Sequence, residues 1–376
     1  MATLARTLSP TDFATGSTTL SSPLSATRSR ADSPTRTRTA VARKLQSVFA
    51  STAFAFVGLG AAGVAHAATD LVLPSEVAVS HWKTGFMNTF ADSVKKRTGG
   101  AIDVKVFPGG QLYNDKDALS AIGTGAVQMV WPVAVRLEQI DAQTGMLNLP
   151  FGLTDEAMLN QCFSDGVTKL MSSRLESRGL EVLGFLRAAD LVFVLRDKDV
   201  KKLEDLKGTK IRITGGKVLL DTVRSLGASP VSMAASEMST ALSQGAIDGA
   251  FTSPAGWKEM IGTTGKHGWY VPGMSLVTYA VVIDKPWLDK LPVAQQQAVR
   301  ESIAEIQKTQ WKEAMDADAK VVEEIKKQGS SWTVASGDEL KRWREKARAN
   351  SDAFVKKYPD MAASYGKLEK DCGVGK

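Results

Sequence analysis

Residues 203–253 alternate between short extended runs and helix-length segments, and this order constrains the fold more than any other feature of the chain. Three runs are predicted as strands: Thr209–Ile213, Ser229–Met233 and Ile247–Thr252. Apolar residues recur at helical spacing between them, and Gly227 and Gly245 follow the predicted helices, where a left-handed residue is favoured. A β-α-β-α-β order predicts a parallel sheet covered by helices.

Residues 70–133 repeat the same plan. The predicted strands are Leu71–Ser75, Ala101–Phe107 and Val127–Trp131, and the predicted helices are His81–Arg97 and about Asp115–Ile122. Aligning Gly125 with Gly245 makes Trp131 and Phe251 equivalent, each at the carboxyl end of the third strand of its half. Two such halves that face each other form a cleft, so we expect Trp131 and Phe251 to point toward it.

Arg212 lies near the carboxyl end of its predicted strand, the end at which open parallel sheets bind ligands. Around it, three segments in this order and spacing resemble the solute-binding subunit of TRAP transporters (tripartite ATP-independent periplasmic transporters). They are Asp205–Arg212 (DLKGTKIR), Gly227–Val231 (GASPV) and Ala241–Gly249 (ALSQGAIDG). The segments Phe107–Leu112 and Leu147–Phe151 are also similar to the family pattern, and the resemblance extends over the region after the leader.

The resemblance implies an α/β fold of two lobes, each a mixed sheet flanked by helices, with a long helix across both. Its expected limits are 68–186 plus about 278–318 for lobe I, and 187–277 plus about 319–376 for lobe II. Residues 292–328 carry the longest helical pattern, for which a solvated helix or two helices with a break are the alternatives. Asp338–Leu368 is predicted as further helix.

In this family an arginine at the position of Arg212 clamps the substrate carboxylate, a role that suits the planar, bidentate guanidinium. The resemblance also places a second carboxylate-binding arginine at Arg187, with Arg196 as a rival, and a ligand contact at Thr252, where the family carries asparagine. The alternatives are a salt bridge for Arg212 and a hydroxyl bonded to the backbone for Thr252.

Aromatic residues are further candidates for the cleft: Trp131, Phe251, Trp82 and Tyr279. Packing in the core is the alternative for each of them. Sugar-acid binders of the family carry polar residues after the third strand, whereas this chain has Trp131-Pro132-Val133-Ala134. This difference favours an apolar or aromatic acid over a polyhydroxylated one.

The first 67 residues differ in character from the rest. Met1–Ala40 is predicted to be disordered, or to result from a misassigned start. Val41–Ala67 has a basic start, an apolar centre and an A-x-A site, so we predict a signal peptide cleaved after Ala67 and a periplasmic protein; an uncleaved anchor is the alternative. Residues 1–67 carry seven basic and two acidic residues, so the remaining net charge is only +2, which argues against binding of nucleic acid.

The sequence offers little for catalysis or metal binding. It contains no H-E-x-x-H and no G-x-S-x-G motif, and only His81 and His267 follow the leader. We therefore expect no enzyme activity, no cofactor and no metal. Cys162 and Cys372 can form a disulfide in an oxidising compartment or remain free thiols.

The predicted function is capture of a small organic anion, with TRAP permease subunits as partners and a monomeric state. The ligand-sensing subunit of a signalling system is one alternative, and a periplasmic enzyme on the same scaffold is the other.

Overall fold

The structure is a computed structural model that describes residues 68–374. The predicted disordered leader (residues 1–40), the signal peptide (residues 41–67) and its cleavage site lie outside the described residues. Within residues 68–374, no helix has the length and apolar character needed to cross a membrane.

In the described part of the chain, eleven strands form the sheets: β1 Thr69–Pro74, β2 Ile102–Phe107, β3 Met129–Val130, β4 Leu180–Asp190, β5 Val192–Leu195, β6 Lys210–Ile213, β7 Ser229–Ser232, β8 Gly249–Thr252, β9 His267–Tyr270, β10 Leu276–Asp284 and β11 Ser331–Val334. The helices are α1 Trp82–Thr98, α2 Asp115–Ala121, α3 Asp155–Leu159, α4 Gln161–Leu175, α5 Lys217–Ser225, α6 Met238–Ser243, α7 Pro254–Gly256, α8 Lys285–Asp289, α9 Val293–Lys327, α10 Gly337–Lys357 and α11 Pro359–Asp371. Two longer 3₁₀ segments, Ala134–Gln139 and Ala142–Asn148, follow β3.

The first lobe is built on β1 to β4 and β10. Strands β1 and β2 pair in parallel, and β10 lies between β3 and β4, antiparallel to both. Gln128 connects the two groups, because its side-chain Oε1 accepts from the N–H of Val72 at 2.9 Å and its own N–H donates to the carbonyl of Val72 at 3.3 Å. The predicted β-α-β-α-β order of residues 70–133 is confirmed, with β3 shortened to two residues.

The second lobe is built on a mixed six-stranded sheet in the order β11-β9-β5-β8-β6-β7. Strand β6 pairs in parallel with both β7 and β8, as the alternation of residues 203–253 predicts. Strand β6 lies between β8 and the edge strand β7, which places Arg212 between two neighbouring strands, and this residue is 2% exposed.

The chain changes sheet at Leu191 and between Val271 and Ser275. The limits expected from sequence, 186/187 and 277/278, instead fall within strands, because β4 continues to Asp190 and β10 begins at Leu276. We propose lobe limits at these two crossing segments.

Helix α9 is a single unbroken helix of 35 residues that contacts both lobes. Its first half packs on the first lobe, where Val299, Ile303 and Ile306 are buried. Its last turns reach the second lobe, where Ile325 is buried and Lys258 pairs with Glu324. The expectation of a long helix across both lobes is therefore correct.

The C-terminal segment divides between the lobes. Pro359 separates α10, which packs on α5 of the second lobe, from α11, which packs on α4 of the first. Tyr365 of α11 meets Phe163 of α4 edge to face, with ring centroids 5.5 Å apart. Assigning all of residues 319–376 to the second lobe is thus wrong for α11.

A disulfide joins Cys162 to Cys372, with a Cα–Cα distance of 5.6 Å. It fixes the end of the chain to the start of α4, and it closes a loop across a sequence separation of 210 residues. Of the two states open to these cysteines, the structure contains the bridged one.

Replacing both cysteines with serine is expected to lower the free energy of unfolding by about 2–4 kcal/mol, because a long loop regains entropy in the unfolded chain. Urea unfolding of the two proteins under oxidising conditions measures the difference. Addition of a reductant should destabilise only the parent. Equal midpoints for the parent and the double variant would contradict the prediction.

Candidate functional site

A cavity of about 50 Å³ lies between the two sheets. The first lobe contributes the segment after β1, the start of α2 and strand β10, and the second lobe contributes the ends of β6 and β8. The polar residues on its walls are Glu76, His81, Asp115, Arg212, Thr214, Thr252, Ser253 and Tyr279. Apolar residues, among them Leu219, Met238 and Met260, make up the rest of the walls. The small volume and the mixed walls suit a small ligand that carries a charged or hydroxyl group.

Arg212 is the cation of this cavity that most needs an external partner. Its Nε and Nη2 donate to the carbonyl of Met233 at 3.2 and 3.0 Å. Among the residues that the structure describes, no carboxylate lies within 4 Å of its guanidinium. Burial lowers the pKa of Arg212 to about 10, so the group stays charged at neutral pH. A buried charge without a counter-ion is costly, and an anion in the cavity would relieve that cost.

Glu76 and Asp115 form an acidic pair on the wall contributed by the first lobe. The N–H of Glu76 donates to Asp115 Oδ1, and the N–H of Asp115 donates to Glu76 Oε2, both at 3.3 Å. Burial and the neighbouring Asp115 raise the pKa of Glu76. Lys83 lies behind the pair, with its Nζ 3.6 Å from Asp115 Oδ2. Each carboxylate is thus fixed in place by the other residue's main chain.

His81 is a neutral hydrogen-bonding group in the cavity wall. Its Nδ1 accepts from the N–H of Lys83 at 3.1 Å and caps α1. Burial and the charge of Lys83 lower the pKa of His81 to about 3. The neutral ring therefore carries its proton on Nε2, which can donate a hydrogen bond.

Of the residues expected at the site, the structure brings three together at the cavity: Arg212, Thr252 and Tyr279. Thr252 ends β8, and its Oγ1 lies 2.6 Å from the position a Cβ would take on Gly256, so a glycine is needed there. Tyr279, in β10, carries the Lys83 ammonium over its ring at 4.2 Å from the centroid.

The structure does not bring Arg187 to the cavity. This residue lies within β4, and its guanidinium donates to Asp155 Oδ1 and Asp318 Oδ2, each at 2.8 Å. Asp190 follows at 3.9 Å. Arg187 therefore has carboxylate partners within the protein. Arg196, its rival, donates to Asp197 and to the carbonyl of Leu242, away from the cavity.

Trp131 and Phe251 pack in the core, and neither lines the cavity. The Trp131 ring lies 5.7 Å from that of Phe90, and its Nε1 faces Met129 Sδ. Phe251 stacks on Phe193 with centroids 4.2 Å apart. Neither ring points into the cavity as expected, whereas Val133, from the apolar run Trp131–Ala134 that favoured an apolar acid, does line it.

Trp82 lies one layer behind the cavity wall. Its ring meets Tyr279 at 5.8 Å and Phe86 at 6.0 Å, both edge to face. It supports Tyr279 rather than lining the cavity itself.

As for metals, residues 68–374 contain no cluster of three or more histidine, cysteine or acidic side chains that could hold an ion.

Sequence reasoning missed Lys83 and Asp115, since charged residues on predicted helices usually face solvent. It also missed Glu76, which directly follows the predicted strand Leu71–Ser75. Asp115 did carry a signal, because it begins a helix directly after the strand β2 and its Gly109–Gly110 loop. Residues at such helix starts near strand ends lie where open sheets bind ligands.

Glu138 joins the lobes beside the cavity. It follows β3 in the first lobe, and its Oε2 accepts from the N–H groups of Lys217 and Val218, at 2.5 and 3.2 Å, at the start of α5 in the second. Gly216 allows this approach, because a Cβ there would lie 2.8 Å from Glu138 Oε1 and its φ is +79°. The contact can form only when the lobes are close together.

Glu138→Gln is expected to weaken ligand binding by about tenfold, since hydrogen bonds to a charged group contribute about 1.5–3 kcal/mol and this contact favours the closed form. Calorimetric titration of both proteins measures the change. Glu313→Gln, at an exposed position of α9, is the matched control and should bind like the parent. An unchanged affinity for Glu138→Gln would show that the contact does not favour the closed form.

Comparison with known proteins places these features in context. Residues 74–357 match the family model DctP, described as bacterial extracellular solute-binding protein, family 7. The C4-dicarboxylate-binding periplasmic protein DctP of Rhodobacter capsulatus is 29% identical over 265 residues, which is 68% of this chain and 77% of the relative.

Solved structures share the fold at low identity. The sugar acid binding protein DctPAm of Advenella mimigardefordensis, in complex with galactonate, superposes with a TM-score of 0.76 at 19% identity, covering 81% of this chain and 99% of that one. A TRAP periplasmic solute-binding protein of Shewanella oneidensis with bound succinate gives a TM-score of 0.74 at 23% identity, over 80% of this chain and 99% of that one.

Proposed function

This chain belongs to the bacterial extracellular solute-binding proteins of family 7, and on that premise we propose that it captures a small organic anion in the periplasm for the membrane subunits of a TRAP transporter. The observation that carries the proposal is the buried, charged guanidinium of Arg212 at the cavity, with no carboxylate of residues 68–374 paired to it. A ligand carboxylate would supply the missing charge through a charge-assisted bond.

Binding and closure are coupled in this proposal. The cavity is made by both lobes, so a ligand that pairs with Arg212 of the second lobe also meets the first-lobe residues Glu76, His81 and Tyr279. Its affinity is then higher for the closed form, and this difference drives closure. Exclusion of water strengthens the charge pair. No covalent step is required, and we propose a monomer that binds no nucleic acid.

Relatives support an acid as the ligand without identifying it. The names of the proteins compared above include a C4-dicarboxylate, galactonate and succinate, all of which carry a carboxylate. Their diversity at 19–29% identity means that the ligand of this chain must be inferred from its own cavity.

A thermal-shift screen of the exported protein against organic acids tests the proposal. An acid present at 100 times its dissociation constant should stabilise the protein by about 2.7 kcal/mol. Uptake of the identified acid into vesicles that hold the TRAP membrane subunits should then require this protein. Stabilisation without uptake would favour the ligand-sensing alternative, and no stabilisation by any acid would overturn the proposal.

A further inference from the structure

A buried ammonium and a buried carboxylate oxygen lie side by side next to the cavity, and neither has a hydrogen-bond partner within residues 68–374. The carboxylate belongs to Asp115, which lines the cavity, and the ammonium belongs to Lys83, which lies directly behind that lining. Lys83 Nζ and Asp115 Oδ2 are 3.6 Å apart, beyond the usual N–H···O distance, with side chains 1% and 4% exposed. Asp115 and Tyr279, whose ring lies under the ammonium, both line the cavity. Buried polar atoms are rarely left unpaired, so these two point to a missing group.

A hydroxyl group satisfies both atoms at once, because it donates one hydrogen bond and accepts others. It can donate to Asp115 Oδ2 and accept from Lys83 Nζ. A carboxylate could accept from Lys83 but would face the charge of Asp115. An ammonium could donate to Asp115 but would face Lys83. Hydroxyl is therefore the ligand group that fits this position.

The charges around the cavity favour a ligand whose single carboxylate lies on Arg212. Arg212, Lys83 and the nearby Arg136 are positive, whereas Glu76, Asp115 and Glu237 are negative. The surroundings therefore offer no surplus positive charge to a second ligand carboxylate. A second ligand carboxylate at the far side would be a third acidic group beside Glu76 and Asp115, whose proximity already disfavours charge there.

We propose that the ligand is a small hydroxylated monocarboxylate, with its carboxylate on Arg212 and a hydroxyl bridging Lys83 Nζ and Asp115 Oδ2. This inference rests on the proposed function and names the substrate class of the same site. It separates this chain from a C4-dicarboxylate binder, because the group opposite Arg212 is a hydroxyl site rather than a second anion site.

Acids of matched length test the inference by calorimetric titration. The four-carbon set is butyrate, 3-hydroxybutyrate, 4-hydroxybutyrate, 4-aminobutyrate and succinate, and the three-carbon set is propionate, lactate, 3-hydroxypropionate and malonate. At least one hydroxy acid should bind at least about tenfold tighter than the unsubstituted acid and the dicarboxylate of its length, since a site built for a hydroxyl rejects analogues that lack it.

The double variant Lys83→Met/Asp115→Leu removes both unpaired atoms together and leaves no lone buried charge. In this variant, the affinities for the hydroxy acid and for the unsubstituted acid of the same length are expected to differ by less than about threefold. The unsubstituted acid should still bind. Arg97→Met/Glu301→Leu, which removes a pair on the outer face of α1 and α9, is the matched control and should keep the preference. If the first variant fails to fold, the acid series with the parent protein decides alone.

The outcomes separate the two proposals. Equal binding of hydroxylated and unsubstituted acids, or tighter binding of succinate or malonate, would overturn the hydroxyl site and leave anion capture standing. A preference for hydroxy acids that persists in the double variant would also overturn the hydroxyl site. Lys83 and Asp115 would then bind a structural water rather than the ligand. Failure of every acid to bind the parent would overturn both.

Discussion

Arg212→Met is expected to weaken binding of the organic anion by tens- to thousands-fold. The ligand loses its buried charge partner, a change that typically costs about 2–5 kcal/mol. The ligand-free variant should be as stable as the parent or more stable, because a buried guanidinium that no carboxylate of residues 68–374 pairs with directly is replaced by an apolar side chain of similar length. Affinity and stability should therefore move in opposite directions.

Titration calorimetry and thermal unfolding of the same preparations measure the two effects. Arg212→Lys keeps the charge but lacks the planar fork, so an intermediate affinity is expected. Arg224→Met, on the exposed face of α5, serves as the control and should change neither quantity. If Arg212→Met unfolds at a lower temperature than the parent but binds the anion normally, the role of Arg212 is structural, through its hydrogen bonds to the carbonyl of Met233. The anion site then lies elsewhere.

Arg187→Met is expected to destabilise the fold by about 3–5 kcal/mol, because it leaves Asp155, Asp190 and Asp318 close together without a counter-charge. Burial already raises the pKa of Asp318 to about 7, against the lowering effect of Arg187. Without the arginine, the pKa values of Asp190 and Asp318 should rise further. Urea unfolding at pH 7.5 measures the loss.

The pH dependence of this variant gives a second readout. A carboxyl group whose pKa is higher in the folded than in the unfolded state stabilises the fold at low pH, and this contribution is lost as the pH rises through the folded-state pKa. Arg187→Met should therefore recover stability relative to the parent between pH 7.5 and pH 5. Asp318→Asn in the same background should recover part of it at pH 7.5.

Arg300→Met is the matched control for Arg187→Met. Arg300 also pairs with a carboxylate, that of Glu181, but its side chain is 41% exposed, so its loss should cost less than about 1 kcal/mol. Comparable losses in the two variants would contradict the argument from burial. A loss of ligand affinity without a loss of stability in Arg187→Met would return Arg187 to the binding site.

Local sequence patterns predict most of the scaffold. Alternation in Ile102–Phe107 reflects a strand with Ile102 and Val104 buried on one face, and glycines such as Gly99 and Gly227 end helices because they adopt a positive φ at no steric cost. Tyr358–Pro359 breaks the tail into two helices, a boundary that the proline indicates but that the prediction of one helical tail passed over.

Side-chain direction explains much of what the prediction of the site missed. Thr252 and Phe251 are neighbours in β8, so they point to opposite faces of the sheet: Thr252 lines the cavity and Phe251 packs on Phe193. The side chains of Thr252 and Phe251 therefore could not have faced the ligand at the same time. The burial of Lys83 and Asp115 depends on contacts between segments distant in sequence, which no local pattern records.

The order in which the chain supplies the first lobe has a kinetic consequence. Strand β10, between β3 and β4, begins at residue 276, and α11 with its cysteine comes last of all. The first lobe cannot complete its sheet until the second lobe has been synthesised, so its folding must wait for contacts of high sequence separation, which form slowly. The first-lobe sheet of such a chain therefore stays incomplete while the chain is being made, and an incompletely folded chain can still be threaded through a narrow membrane pore.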